Sequence, residues 1–77
     1  MTTFSKIRTA VGSTRQYIEV SRNGKPFGTI WTYKNTKKES SPWQAQTLND
    51  VHKVFEYNTD KNKALKDAKD WMMSQPD

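Results

Sequence analysis

His52 is the single histidine of this chain and there is no cysteine, so a nucleophile with its activating base has no candidate pair and a thiolate metal site has no ligands. The serines cluster in turn-rich stretches with no base partner. Glu39 and Glu56 are far apart in sequence, and Asp67 and Asp70 each lie within helical reach of a lysine. All four carboxylates therefore read as solvated partners, not as an acid and base sharing a substrate. Gly12, Gly24 and Gly28 are dispersed, with no glycine-rich turn leading into a helix, so a phosphate-cradling loop is absent. No convergence of His, Asp or Glu suggests a metal. The expectation is a protein that is not an enzyme, needs no cofactor and binds no small-molecule substrate.

Binding chemistry is better supplied. Thirteen Lys and Arg against eight Asp and Glu leave a net charge of +5, which attracts polyanions before any specific contact forms, although many small domains are basic merely for solubility. Three Trp, three Tyr and three Phe provide rings that fill a core or meet a partner. Seventy-seven residues make one domain, because a chain this short buries only about 60% of its unfolded surface. Net stability is expected to be small, a few kcal/mol. The start of the chain, MTTFSKIRTAVGSTR, lacks the apolar stretch of a secretory leader, and no run reaches the roughly 20 apolar residues of a membrane span. A cytoplasmic protein with no membrane partner is expected.

The elements that must position these groups are read from period and punctuation. Residues 1 to 15 sustain neither period and are expected to form a flexible basic arm carrying Lys6, Arg8 and Arg15, with a short strand around residues 4 to 8. QYIEVSR alternates as a half-buried strand. Asn23-Gly24 follows, and both residues tolerate the positive φ of a tight hairpin turn. A two-residue loop there pairs Arg22 with Lys25, Val20 with Phe27, Ile18 with Thr29 and Gln16 with Trp31. Ile18, Val20, Phe27, Trp31 and Tyr33 then share one face, and Tyr17, Glu19, Gly28, Ile30 and Thr32 the other. Pro26 and Gly28 suggest an edge position or a bulge.

NTKKESS is polar and unpatterned, a loop or an extended hairpin tip bearing Lys37 and Lys38, with Lys34 just before it. PWQAQTL and VHKVFEYN read as strands around a weaker turn at Asn49-Asp50. The period then changes. Asn58 or Thr59 caps a helix with Asp60 in its first turn and Pro76 at its end, and Lys61, Ala64, Leu65, Ala68, Trp71, Met72 and Gln75 line one face. The predicted fold is α+β: an antiparallel meander of three or four strands with one C-terminal helix packed on one face, residues 16 to 77 forming a single ββββα domain. The predicted core is Ile18, Val20, Phe27, Trp31, Ala45, Val54, Leu65, Ala68, Trp71 and Met72. On the uncovered face, Gln44, Gln46, Lys53, Phe55 and Tyr57 join Tyr17 and Ile30 if Trp43 and Ala45 point to the helix. A one-residue slip would exchange Trp43 with Phe55 and Tyr57.

The order of strands followed by FEYNTDKNKALKDAKDWM resembles the arm-type DNA-binding domain of phage tyrosine recombinases and the related plant ethylene-response-type domain, over residues 16 to 75. Phe55 stands where that group closes its last strand, Thr59 where a turn opens the helix, and Ala64, Ala68 and Trp71 inside it. The resemblance implies a sheet that lies in the major groove, and a small phage-encoded or accessory protein as the setting. The family's sheet is rich in arginine, whereas this reading places only Arg22 on the strands and relies on Lys and Gln.

Two functions follow. The first is a nucleic-acid-binding protein, with DNA as ligand, that uses the open sheet face and lysine-rich loop. Arg15, Arg22, Lys25, Lys34, Lys37, Lys38, Gln44, Gln46 and Lys53 would meet phosphates and base edges. The second is a protein-binding module or inhibitor of a host protein that presents aromatics, among them Tyr17, Trp43, Phe55, Tyr57 and Trp31.

Overall fold

The computed structural model describes residues 1–12, 15–33, 42–56 and 61–76. In it the chain forms β1 (Thr2–Phe4), β2 (Arg8–Thr9), β3 (Arg15–Arg22), β4 (Lys25–Tyr33), β5 (Trp43–Thr47), β6 (His52–Phe55) and α1 (Lys61–Ser74). The strands pair antiparallel in the order β1-β3-β4-β5-β6, with β2 also on β3. The α+β class with one C-terminal helix agrees with the sequence reading; the strand count does not, since six strands replace three or four. The additional two come from the segment read as an arm. Thr2 pairs with Arg22, Phe4 with Val20, and Arg8 with Tyr17. Strands this short show no period, and their conformation comes from the edge they complete.

Asn23 and Gly24 have φ of 54° and 79°, as a tight reversal with two left-handed residues requires. Arg22 pairs with Lys25 as expected, but Val20 pairs with Gly28 instead of Phe27, and the register shifts between Val20 and Ser21. Phe27 is the extra residue of a bulge. Beyond it every face assignment on β4 inverts: Ile18 lies opposite Ile30, and Tyr17 opposite Trp31. The helix explains why Gly occupies position 28. A Cβ there would collide with the Gln46 carbonyl oxygen and lie 2.8 Å from Met72 Cε and 3.0 Å from Thr47 Cα.

The β5–β6 hairpin is closed by Thr47. Its N–H donates to the Val51 carbonyl at 2.9 Å, and its carbonyl accepts from Asp50 at 3.1 Å. Its buried hydroxyl accepts from the Asn49 and Val51 amides, both at 3.3 Å. Asp50 takes a φ of 64°, so Asn49-Asp50 does mark the reversal.

Helix α1 packs on β4, β5 and β6, with the small side chains of Ala64 and Ala68 buried against the sheet. The expected caps at Asn58, Thr59 and Asp60 lie outside the described residues. At the other end Arg22 reaches the helix C-terminus: Nη1 donates to the Gln75 carbonyl at 2.6 Å and Nη2 to Met72 at 2.9 Å, while Nε donates to Thr2 Oγ1 at 3.0 Å. The guanidinium also lies 3.8 Å from the Phe27 ring centre. Carbonyls left over at a helix end favour such a cation.

The buried core is Ile18, Val20, Ile30, Trp43, Ala45, Ala64, Ala68 and Met72, with Phe4, Phe27, Phe55, Leu65 and Trp71 packed against it. Two expected core residues are corrected. Trp31 is half-buried on the other face, and Val54 is 42% exposed. Ile30 and Trp43 take the interior instead, at 0% and 2%. No helix among the described residues is long and apolar enough to cross a membrane.

Candidate nucleic-acid interface

Directly paired residues of antiparallel strands point to the same side, so the register fixes the face opposite α1. It presents Arg8, Arg15 and Tyr17 from β2 and β3, Thr29, Trp31 and Tyr33 from β4, Gln44 and Gln46 from β5, and His52 and Val54 from β6. Among the described residues no element covers it.

Trp31 is the centre. Its ring stacks on the His52 ring with centroids 5.6 Å apart and planes 21° apart. The Arg15 guanidinium carbon lies 5.5 Å from the Trp31 centroid and 5.7 Å from that of Tyr17. Arg15 stands on the β3 side of β4 and His52 on the β6 side, on opposite diagonals from Trp31. The planar groups therefore form a row, Tyr17, Arg15, Trp31, His52, with the Trp31 and His52 rings stacked and the Arg15 guanidinium within cation–π reach of both Tyr17 and Trp31. A guanidinium over a ring is attracted by the ring's negative face. His52 Nε2 is 3.0 Å from Gln44 Oε1, and Gln46 Nε2 donates to Asp50 at 3.3 Å.

Charge divides unevenly along this face. Arg8 and Arg15 lie at the end where β4 finishes at Tyr33, and the chain that continues from there carries Lys34, Lys37 and Lys38, which fall outside the described residues. Glu19, opposite Thr29, and Asp50 occupy the other end. On the helix side the cations are partly matched: Lys63 pairs with Asp67 at 3.2 Å and Lys66 with Asp70 at 3.0 Å. The Asp70 carboxylate holds the Lys66 ammonium above its ordinary range, first through their hydrogen bond and then through charge.

Of the residues expected at the interface, Arg15, Tyr17, Gln44 and Gln46 share the open face. The others that lie among the described residues do not join them. Arg22 is committed to the end of α1. Lys53 pairs with Ala45 and so faces the helix side, its ammonium 5.5 Å from the Phe55 ring centre. Phe55 pairs with Trp43 and meets Trp71 edge to face at 6.0 Å. Trp43 is buried, so it cannot present its ring to a partner. Lys25 is exposed beyond the hairpin turn, and Tyr57 lies outside the described residues. The cause is the three-residue closure at Thr47, which sets His52 and Val54, not Lys53 and Phe55, beside the glutamines.

Sequence reasoning left out His52 as an interface residue, placed Arg8 in the arm instead of on a strand of the sheet, and named Trp31 only for the protein-binding reading while assigning it to the core. The signal for Trp31 was present in Pro26 and Gly28, which announced a bulge whose effect on phase was not carried forward. It also stopped the strand one residue short of Arg15, so arginine on the strands is richer than expected.

Comparison with protein-family models, curated proteins and solved structures finds no match to the chain. Within the described residues no group of three or more His, Asp or Glu is placed to hold a metal.

Proposed function

We propose that the open sheet face binds nucleic acid, with double-helical DNA as the preferred ligand. The observation that supports this most directly is the row of Tyr17, Arg15, Trp31 and His52. Because Trp31 is stacked on His52 and the Arg15 guanidinium lies within cation–π reach of Tyr17 and Trp31, the row offers N–H and O–H donors while part of its π surface is already engaged. Base-edge and phosphate recognition in a groove needs donors of that kind, whereas stacking of unpaired bases needs open ring faces. Gln44 and Gln46 add amides on the same surface, and Arg8, Arg15 and the lysines of residues 34 to 38 supply charge for phosphates. The resemblance to arm-type domains, in which a sheet enters the major groove, agrees with this reading, and arginines at positions 8 and 15 narrow the departure from that pattern. The role is non-enzymatic.

The test is fluorescence anisotropy with a labelled duplex and a single strand of equal length across a salt series. Three phosphate contacts would give a slope of about −2.7 on logarithmic axes and a loss of roughly 40-fold between 50 and 200 mM salt. Tighter binding to the single strand, or affinity indifferent to salt, defeats the proposal.

A second reading rests on a separate observation. Between the two hairpin turns lies a shallow depression of about 420 Å³ lined by Pro26, Phe27 and Leu48 with Arg22, Lys25 and Asn49, and Leu48 is 68% exposed. An apolar floor with a cationic rim suits a host protein. A stoichiometric protein partner that survives nuclease treatment, and is lost on Leu48→Asp, would favour this site over the open face.

A further inference from the structure

The two lateral edges of the sheet differ. On one side β1 and β2 share the edge of β3, and the break between them is closed by Ser5, whose N–H donates to the Glu19 carbonyl at 3.0 Å and whose hydroxyl accepts from the Glu19 amide at 2.9 Å. On the other side β6 is regular and, among the described residues, pairs only with β5. The Thr47 to Val51 hydrogen bond sets the phase of this hairpin. Val51, Lys53 and Phe55 direct their backbone groups to β5, and His52, Val54 and Glu56 direct theirs outward. An open row of donors and acceptors with exposed Val51 and Val54, 45% and 42% accessible, is a template for another strand.

We infer that this edge pairs with β6 of a second copy of the chain, antiparallel about a two-fold axis through Val54, to make one continuous sheet. The inference does not depend on the nucleic-acid reading. Only outward-facing residues can exchange backbone hydrogen bonds across the axis, which restricts the register. Centred on Val54, the two strands place Val54 on Val54, His52 opposite Glu56 on the open face, and Lys53 opposite Phe55 on the helix face. Each is a favourable cross-strand pair: apolar on apolar, imidazole on carboxylate, cation on ring. Moving the register one step toward the N-terminus would set Lys53 against Lys53, and one step the other way would set Glu56 against Val54.

The helices leave room. With α1 centred on β5 and strands about 4.8 Å apart, three strand spacings separate the two helices by about 14 Å, beyond the 8–10 Å of direct packing. A two-fold axis perpendicular to the sheet turns both open faces to the same side, so one dimer would offer two Trp31 rows to one ligand.

The test is sedimentation velocity of the full chain without nucleic acid, from micromolar to millimolar, alongside amide hydrogen exchange. A concentration-dependent dimer is expected, in which the amides of His52, Val54 and Glu56 slow with concentration while those of Lys53 and Phe55 do not. Val54→Pro removes an outward N–H without touching the β5 ladder, and should weaken the dimer roughly tenfold or more. Glu56→Lys should weaken it several-fold, and adding His52→Glu should restore it. A monomer at every concentration, a dimer indifferent to Val54→Pro, or slowing of other amides instead overturns the inference.

Discussion

The two faces of this sheet are built from the same strands by alternation, yet they hold their side chains by different means. On the helix side Ile18, Val20, Ile30, Trp43 and Ala45 are removed from water, and each is fixed by volume. On the open side Arg15, Tyr17, Trp31, Gln44 and His52 keep contact with water and are ordered by each other through stacking and hydrogen bonds. Burial contributes stability in proportion to apolar area, whereas exposed stacking contributes about 1 kcal/mol per contact. The comparison teaches that a large aromatic in this chain is not by its size a core residue: Trp43 and Trp31 sit on neighbouring strands and perform opposite tasks.

The largest effect that would break the contrast is at the point of closest approach. Gly28→Val puts atoms where the Gln46 carbonyl and Met72 already are and should cost about 3 kcal/mol or more, enough to unfold a domain of this size; loss of the cooperative thermal transition by circular dichroism checks it. Next, Trp43→Ala should cost about 3–5 kcal/mol, against about 1 kcal/mol for Trp31→Ala, in paired urea titrations. Equal costs for the two tryptophans would erase the distinction between the faces. Arg22→Lys keeps the charge but loses the planar fork that bonds the carbonyls of Met72 and Gln75, and should cost about 1–2 kcal/mol in the same titrations. The smallest stability change is expected from Arg15→Ala, within about 0.5 kcal/mol. That substitution should instead lower the salt slope of DNA binding by about one.

Much of the local structure was legible before any coordinates. Asn23-Gly24 marks its turn because few dipeptides tolerate two left-handed residues, and the spacing of Ala64, Leu65, Ala68, Trp71 and Met72 marks the helix and its buried side. The candidate site was legible in part: Tyr17, Gln44 and Gln46 were read onto the open face, Arg15 was named as a binding residue but assigned to the arm, and Lys53, Phe55 and Trp43 were grouped among binding residues but lie elsewhere.

The misplaced residues share one cause. Alternation along a strand establishes that neighbours face opposite ways, but not which way the first one faces. In this chain the phase of β4 is reset at Phe27, and the phase of β6 is set by the hydrogen bonds of Thr47. Both depend on partners distant in sequence: the bulge lets Gly28 pass beneath Met72, 44 positions along the chain, and short β1 and β2 become strands only because β3 offers an edge. By itself, then, the sequence determined the types of the four later strands and the helix, the turn at Asn23-Gly24 and the positive balance, since these rest on local propensity and composition. Which tryptophan is interior and which is outward was decided only by the tertiary structure, because a single extra residue in a ladder inverts every side chain beyond it.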